Sequence, residues 1–96
     1  MGMPSDLSTD QIDSFLNRFH AWTRDGDSIS RTFVFSDFNE ALGFVVRIGA
    51  ASEVADHNPD IDIRWNNVTC VLSTHSEGAL TNKDLELAEI FDQIAG

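Results

Sequence analysis

The sequence has few cations, a single cysteine and no long apolar run. Its 96 residues include six lysines and arginines against sixteen aspartates and glutamates, so the formal net charge is −10. Phosphate contacts require clustered cations, so this charge argues against nucleic acid as a direct ligand and against anionic membrane surfaces. The lone cysteine, Cys70, excludes an internal disulfide framework and has no partner thiols for a metal site.

Membrane and export signals are also missing from the sequence. No apolar run approaches the ~18 residues of a membrane-spanning helix, and no basic region precedes an apolar stretch at the start. We therefore expect a soluble, cytoplasmic protein. A composition of 42% hydrophobic and 23% charged residues is typical of a globular chain. We predict a disordered segment over residues 1–7 and a single domain over residues 8–96.

Two segments begin with the pattern of a helix capping box. Ser8 is a good N-cap with Gln11 three residues later, and Thr81 is followed by Asp84 at the same spacing. Apolar side chains then recur at the spacing of an amphipathic helix. These apolar positions are Ile12, Phe15, Leu16 and Phe19 in the first helix and Leu87, Ala88, Phe91 and Ile94 in the last.

A longer helix is predicted between these two. Ser36 or Asp37 caps it, and small and apolar residues follow on one face. Pro59 disfavours helical geometry in the residue before it, so we expect the helix to end near Asn58.

Four segments have the alternation of β-strands, and the Asp25-Gly26 pair predicts a tight turn between the first two. The predicted strands cover residues 21–24, 28–35, 60–65 and 68–75. The order of elements is therefore α-β-β-α-β-β-α. This order predicts an α+β fold, a two-layer sandwich in which a four-stranded antiparallel sheet carries three helices on one face.

An open sheet of this kind has two edge strands, which are prone to pair with other chains unless they are covered. Trp22 and Trp65 lie on or near candidate strands. We therefore expect a homodimer.

Two of the three histidines are candidates for a functional site. His57 lies at the predicted end of the second helix, four residues after Glu53, so the two side chains could share a helix face and form a hydrogen bond. The alternative is that His57 only caps the helix beside Pro59, and spacing alone favours that alternative. His20, between Phe19 and Ala21, is interpreted as a partly packed boundary residue.

His75 follows the fourth predicted strand, and residues at strand ends often face ligands. The alternative is a polar loop residue near the flexible Gly78. Two imidazoles at one cleft could divide general acid and general base catalysis between them, since both titrate near neutral pH. Their separation matches no local metal-ligand spacing, and we predict no metal site. The sequence contains no nucleophile elbow, phosphate loop or dinucleotide fingerprint.

Several spaced motifs, in order, resemble one known family. These motifs are Arg31-x-Phe33-x-Phe35-x-Asp37-Phe38-Asn39, Glu53-x-x-x-His57-Asn58-Pro59, Trp65-Asn66-x-Val68, Leu72-Ser73-Thr74-His75 and Gly78-Ala79-Leu80-Thr81-x-x-Asp84. Together they resemble the pterin-4a-carbinolamine dehydratases over most of the chain.

The resemblance implies a lyase that removes water from 4a-hydroxytetrahydrobiopterin to give quinonoid dihydropterin in tetrahydrobiopterin recycling. It implies a pterin as substrate, no metal or organic cofactor, and homodimers that often pair into homotetramers. By the resemblance, His57 and His75 are the proton-transfer residues and Glu53 orients His57. The expected substrate-binding residues are Asp56, His57, Asn58, Ser73, Thr74, His75 and Trp65, with Trp65 equally suited to packing.

One departure concerns Asn58, because the family commonly carries two adjacent histidines before the proline. Asparagine forms hydrogen bonds but does not shuttle protons near pH 7. We predict that Asn58 keeps a binding role and that activity survives. The alternative function is a non-catalytic or divergent relative that acts as a protein-binding dimerisation module or on another pterin.

Overall fold

The computed structural model describes residues 7–96, which form three helices and four strands in the predicted order. The elements are α1 (Thr9–Arg18), β1 (Thr23–Asp25), β2 (Ser28–Val34), α2 (Phe38–Ala55), β3 (Asp60–Arg64), β4 (Asn67–Leu72) and α3 (Asn82–Ala95). The predicted α+β fold is confirmed. Of the segment predicted to be disordered, residues 1–6 lie outside the described residues. Leu7 is described, and its N–H donates to the Leu80 carbonyl.

Helix starts follow the predicted caps. Ser8 and Gln11 form a reciprocal capping box at α1, and Thr81 and Asp84 form one at α3. Of the two candidates for the α2 cap, the structure uses Asp37, whose carboxylate accepts the Glu40 N–H at 2.8 Å. Each of these side chains satisfies a backbone N–H that the first helical turn leaves without a partner.

The four strands form one antiparallel sheet in the order β1-β2-β4-β3. The β1–β2 hairpin turns at Gly26-Asp27, one position after the predicted Asp25-Gly26 pair, because Asp25 still pairs with Ser28. Gly26 has a φ of 60°, which glycine adopts without strain. β1 is displaced from its predicted bounds and covers only Thr23–Asp25. β4 ends at Leu72, so His75 lies beyond the strand.

Alternation along the strands separates a buried face of the sheet from an open one. Ile29 and Phe33 of β2 and Val68, Cys70 and Leu72 of β4 point into the core, at 0–2% exposure. Helix side chains complete this core: Ile12 and Phe15 from α1, Ala41, Phe44 and Ile48 from α2, and Leu87, Ala88 and Phe91 from α3. The opposite face is mostly polar, as period-two burial requires.

The C-terminal part of α3 is tied to the sheet by polar contacts. Asp92 Oδ1 accepts from the Trp22 indole N–H at 2.9 Å and from Arg31 Nη1 at 2.7 Å. The buried Trp22 thereby satisfies its one polar atom. These contacts fix α3 across the sheet, and so fix where its first turn lies at the other end.

Over residues 7–96, none of the helices combines the length and the apolar character that crossing a membrane would require.

Candidate active site

A polar cleft opens where the end of α2, the end of β4 and the start of α3 meet. Its volume is about 280 Å³. The residues that line it are Asp56, His57, Asn58, Ser73, Thr74, His75, Ser76 and Lys83. Both candidate histidines therefore lie at one cleft, although 18 positions separate them in the sequence.

The end of α2 places His57 differently from the sequence-based expectation. The helix ends at Ala55, and Asp56 adopts left-handed geometry at φ 54° and ψ 44°. Asp is among the few residues other than glycine that visit this region. The His57 N–H then donates to the Ser52 carbonyl at 3.1 Å, which closes the helix end. His57 is therefore outside the helix, and the expected geometry of one shared helix face with Glu53 does not form.

The partner of the His57 ring is Asp84. His57 Nε2 lies 2.6 Å from Asp84 Oδ1, with the two side chains only 10% and 0% exposed. An imidazole bonded to a buried carboxylate has a fixed orientation and a preferred tautomer. This contact connects the loop after α2 to the first turn of α3.

Asp84 is itself held by two further donors on its second oxygen. Asp84 Oδ2 accepts from the Thr74 hydroxyl at 2.8 Å and from the Thr81 N–H at 3.0 Å. A fully buried carboxylate is strongly unfavourable unless it is paired and hydrogen-bonded. Here both oxygens have partners, so burial of this carboxylate is compatible with a stable fold.

His75 reaches the cleft from a tight turn after β4. Thr74 and Ala79 form an isolated antiparallel bridge, and the Gly78 N–H donates to the Thr74 carbonyl at 3.0 Å. Gly78 has a φ of 62°, a conformation that a side chain would strain. In contrast to His57, His75 is exposed to solvent.

Most residues expected from the sequence lie together, but two do not. Asp56, Asn58, Ser73 and Thr74 line the cleft with both histidines. Glu53 is exposed on the last turn of α2, and Trp65 lies in the β3–β4 turn at 67% exposure; neither lines the cleft. The roles given to all these residues stay predictions.

Sequence reasoning missed three residues at this site. Asp84 is recognised as a capping residue and as part of a family motif but without a partner, and Ser76 and Lys83 are given no role. The signal for Asp84 is its place in the capping box, since an acid at that position sits at a helix start that packs on β4. Its contact with His57 spans 27 positions, which no local pattern reveals.

Cys70 takes no part in the cleft. It is fully buried on the inner face of β4, as expected for a small packed residue. Burial raises the pKa of its thiol to about 12, although the nearby Arg31 charge acts in the opposite direction. A thiol with this pKa is protonated near neutral pH and is therefore not a nucleophile there.

Within residues 7–96, histidine, cysteine, aspartate and glutamate side chains nowhere form a group of three or more that could hold a metal ion.

The fold and the cleft define a class of small α+β proteins with an open antiparallel sheet and a polar cleft that contains two histidines. Comparison with known sequences gives the family. Residues 5–94 match the family described as pterin 4 alpha carbinolamine dehydratase. The chain belongs to this family, and the resemblance read from its motifs is confirmed.

Curated relatives agree with this assignment over nearly their whole length. A protein of Mycobacteroides abscessus is 51% identical over 90 residues, which cover 94% of this chain and 96% of that protein. One of Nocardia farcinica is 49% identical over 89 residues, covering 93% and 94%. Both carry provisional names as pterin-4-alpha-carbinolamine dehydratases.

Solved structures support the same fold. A crystal structure from Brucella melitensis, titled transcriptional coactivator/pterin dehydratase, has a TM-score of 0.91 at 31% identity and covers 95% of this chain and 99% of its own. A pterin dehydratase-like protein described as a RuBisCO assembly factor in the alpha-carboxysome has a TM-score of 0.66 at 20% identity, covering 78% and 87%. The second likeness concerns the fold alone.

Proposed function

We propose that this protein is a dehydratase that converts 4a-hydroxytetrahydropterin to quinonoid dihydropterin by histidine acid and base catalysis. The observation that carries the proposal is the His57–Asp84 pair, at 2.6 Å, in one cleft with His75. Family membership supplies the class of substrate. The reaction needs one group that accepts a proton and one that donates a proton, and both tasks suit imidazole.

His57 is the general base in this proposal. It accepts the proton from ring nitrogen N5 and becomes an imidazolium, whose charge Asp84 balances at hydrogen-bond distance. A buried carboxylate behind a histidine stabilises an imidazolium as it forms and keeps the ring in position. His75 has no comparable carboxylate among its hydrogen-bond partners within the described residues, which favours the opposite role for it.

His75 is the general acid. It donates a proton to the 4a-hydroxyl, the bond between C4a and oxygen breaks, and water leaves. The N5 proton is lost to His57, and the double bond between C4a and N5 forms. Substrate loses one hydroxide and one proton, while His75 gives up one proton and His57 gains one. Proton exchange with solvent then returns both histidines to their starting forms, so the net change over one cycle is the release of one water.

The remaining cleft residues bind the pterin in this proposal. Asp56, Asn58 and Ser73 surround the histidines with polar groups that suit the polar edge of a pterin ring. Asn58 forms hydrogen bonds without proton transfer. Roles for Glu53 as the orienting residue and Trp65 as a pterin contact rest on the family resemblance alone.

The wider setting is proposed on the same basis. The enzyme works in the cytoplasm in tetrahydrobiopterin recycling, needs no cofactor, and forms homodimers or homotetramers. Sedimentation equilibrium measures the oligomeric state directly, and a monomer at micromolar concentration would contradict this part.

The test of the reaction is a stopped-flow ultraviolet assay of 4a-hydroxytetrahydropterin dehydration. We expect the wild type to accelerate the reaction, and His57→Gln and His75→Gln each to reduce kcat by about 10²–10⁴-fold. His20→Gln is the matched control, because His20 is exposed and lies outside this cleft. A folded wild type with the uncatalysed rate would refute the proposal.

A second candidate function is a protein-binding module, and one observation favours it. Large apolar side chains on α2 remain exposed in the single chain: Phe38 at 46%, Leu42 at 41%, Val46 at 71% and Val54 at 90%. An exposed apolar patch of this kind often marks a contact surface. If the assay shows no dehydration while Val46→Asp changes the oligomeric state, the second candidate replaces the first.

A further inference from the structure

The hydroxyl groups of Thr74 and Thr81 form a directed chain of hydrogen bonds that ends at Asp84. Thr74 is 6% exposed, Thr81 1% and Asp84 0%. The Thr74 and Thr81 hydroxyl oxygens are 2.8 Å apart, and the Thr74 hydroxyl donates to Asp84 Oδ2, also at 2.8 Å. This chain runs behind the cleft and was not expected from the sequence.

The direction of donation follows from counting hydrogens. A hydroxyl has one proton to donate, and that of Thr74 goes to Asp84. Thr81 must therefore donate to Thr74, while its own oxygen accepts the Lys83 N–H at 3.3 Å. Together with the Thr81 N–H, this arrangement directs two donors at Asp84 Oδ2. A carboxylate oxygen accepts both of these bonds and has no hydrogen of its own to donate.

The acceptor character of the Asp84 carboxylate determines which ring nitrogen of His57 carries the proton. Asp84 Oδ1 has no proton to give, so His57 Nε2 donates across the 2.6 Å contact. The other ring nitrogen, Nδ1, has no hydrogen-bond partner among the described residues. Over residues 7–96, no side-chain nitrogen or oxygen that is shut off from solvent lacks a partner, so Nδ1 must reach solvent, and His57 lines the cleft.

We propose that Thr74 and Thr81 are positioning residues, whose hydroxyls hold the Asp84 carboxylate in place and thereby fix His57 with its proton on Nε2 and Nδ1 presented to substrate. The proposal rests on the proposed function only where it concerns rate. In this proposal the Thr74 hydroxyl does not bind substrate, because that group is already bonded to Asp84 and Thr81. Proton transfer to substrate then uses Nδ1 of His57.

The first test reads the tautomer without any substrate. A long-range proton–nitrogen NMR spectrum of histidine-labelled wild type, at a pH where the rings are neutral, should show His57 protonated at Nε2 and bare at Nδ1. His57→Gln assigns the signal by its disappearance. A His57 ring protonated at Nδ1 would overturn the proposal, whether or not the protein is a dehydratase.

The second test compares variants that differ by one hydroxyl. Thr74→Val keeps the side-chain shape and should reduce kcat about tenfold, the scale on which a partner behind a functional histidine acts, with KM within about twofold. Thr74→Ser restores the hydroxyl and should recover most of the rate. Thr81→Val should also reduce kcat, but by less, because Thr81 acts through Thr74.

The matched control is Thr69→Val on the open face of the sheet. Thr69 also shares a 2.8 Å contact between hydroxyls, with Thr32, but lies outside the cleft. It should leave kcat unchanged.

Wild-type kcat in folded Thr74→Val, or an equal loss in Thr74→Ser, would overturn the positioning role. If Thr74→Val does not fold, Thr81→Val and the wild-type tautomer still decide the matter. An inactive wild type with the expected tautomer would refute the dehydratase and leave the hydrogen-bond chain supported.

Discussion

The starts of α1 and α3 use the same capping motif in different surroundings. At α1, the Ser8 N–H donates to Gln11 Oε1 at 2.8 Å, and both residues are exposed or half-exposed. At α3, the Thr81 N–H donates to Asp84 Oδ2 at 3.0 Å, and both residues are buried. The motif is the same, but at α3 the third residue also bonds His57.

The difference shows how a structural motif can be recruited for a site. A capping box satisfies backbone donors wherever it occurs. In α1 water covers the same groups, so the motif contributes only to helix stability. In α3 the sheet and the loop after α2 exclude water, and the spare carboxylate oxygen of Asp84 is left facing His57. Burial therefore turns the same local pattern into a partner for a histidine.

The largest expected difference between the capping boxes of α1 and α3 is the effect of a substitution at their third residue on the reaction rate. Asp84→Asn places an amide opposite His57, which can donate to Nε2 and so favours the wrong tautomer. We expect kcat to fall by up to about 10⁴-fold, the loss seen when the aspartate behind another catalytic histidine is made an amide. Gln11→Ala, at the equivalent position of α1, should leave kcat unchanged. Equal rates in folded Asp84→Asn and wild type would remove the distinction.

A second expected effect is a pH dependence of stability at Cys70, which is buried like Asp84 but has no hydrogen-bond donors around it in the described part of the chain. Its pKa of about 12 in the fold compares with about 8.5 for an unfolded thiol. Between these values the folded state binds one more proton than the unfolded state. The free energy of unfolding should therefore fall as pH rises above about 8.5, by at most about 1.4 kcal/mol per pH unit from this group.

Urea unfolding at pH 8 and pH 10, for wild type and Cys70→Ala, checks this slope. The wild type should lose more stability than the variant over that interval, since other titrating groups are common to both. Parallel losses would show that Cys70 is not the neutral buried thiol described here.

A smaller effect is expected at the α1 cap itself. Ser8→Ala removes the hydroxyl that accepts the Gln11 N–H at 3.1 Å. We expect a loss of about 1 kcal/mol in the free energy of unfolding, typical of an N-cap, with an unchanged dehydration rate. Chemical denaturation and the stopped-flow assay on the same preparation test both halves. A rate loss at Ser8→Ala would show that α1 also serves the cleft.

The smallest effect should come from a charge at the third position of α1. Gln11→Glu puts a negative charge at the start of α1. The helix dipole stabilises such a charge by about 0.3–1 kcal/mol. We expect a slightly higher midpoint of thermal unfolding in low salt and no change in rate. A clear destabilisation instead would mean that the two boxes do not share the same local chemistry.

Local signals in the sequence account for most of the fold. The capping residues Ser8 and Thr81 and the glycine of the β1–β2 turn act over a few positions, so the local sequence is enough to specify them. The α2 boundary is less well predicted: Pro59 limits the helix, but the left-handed Asp56 ends it earlier. Short strands such as β1 depend on pairing with β2 and are therefore poorly bounded from the sequence.

The candidate site is predictable in its members but not in its contacts. The family motifs locate His57 and His75, and both line the cleft. Spacing along a helix suggests Glu53 as the partner of His57, because the sequence gives no sign that the helix stops at Ala55. The observed bond to Asp84 requires α3 to dock beside the end of α2, a tertiary arrangement fixed in part by Asp92 at the far end of that helix.

The most direct test of the account is a double-mutant cycle for pterin dehydration with His57→Gln, Asp84→Asn and the double variant. If Asp84 acts through His57, the double variant should be no slower than His57→Gln alone, since residues that act as a unit are not additive. Losses that multiply in the double variant would contradict the account, because Asp84 would then contribute independently of His57.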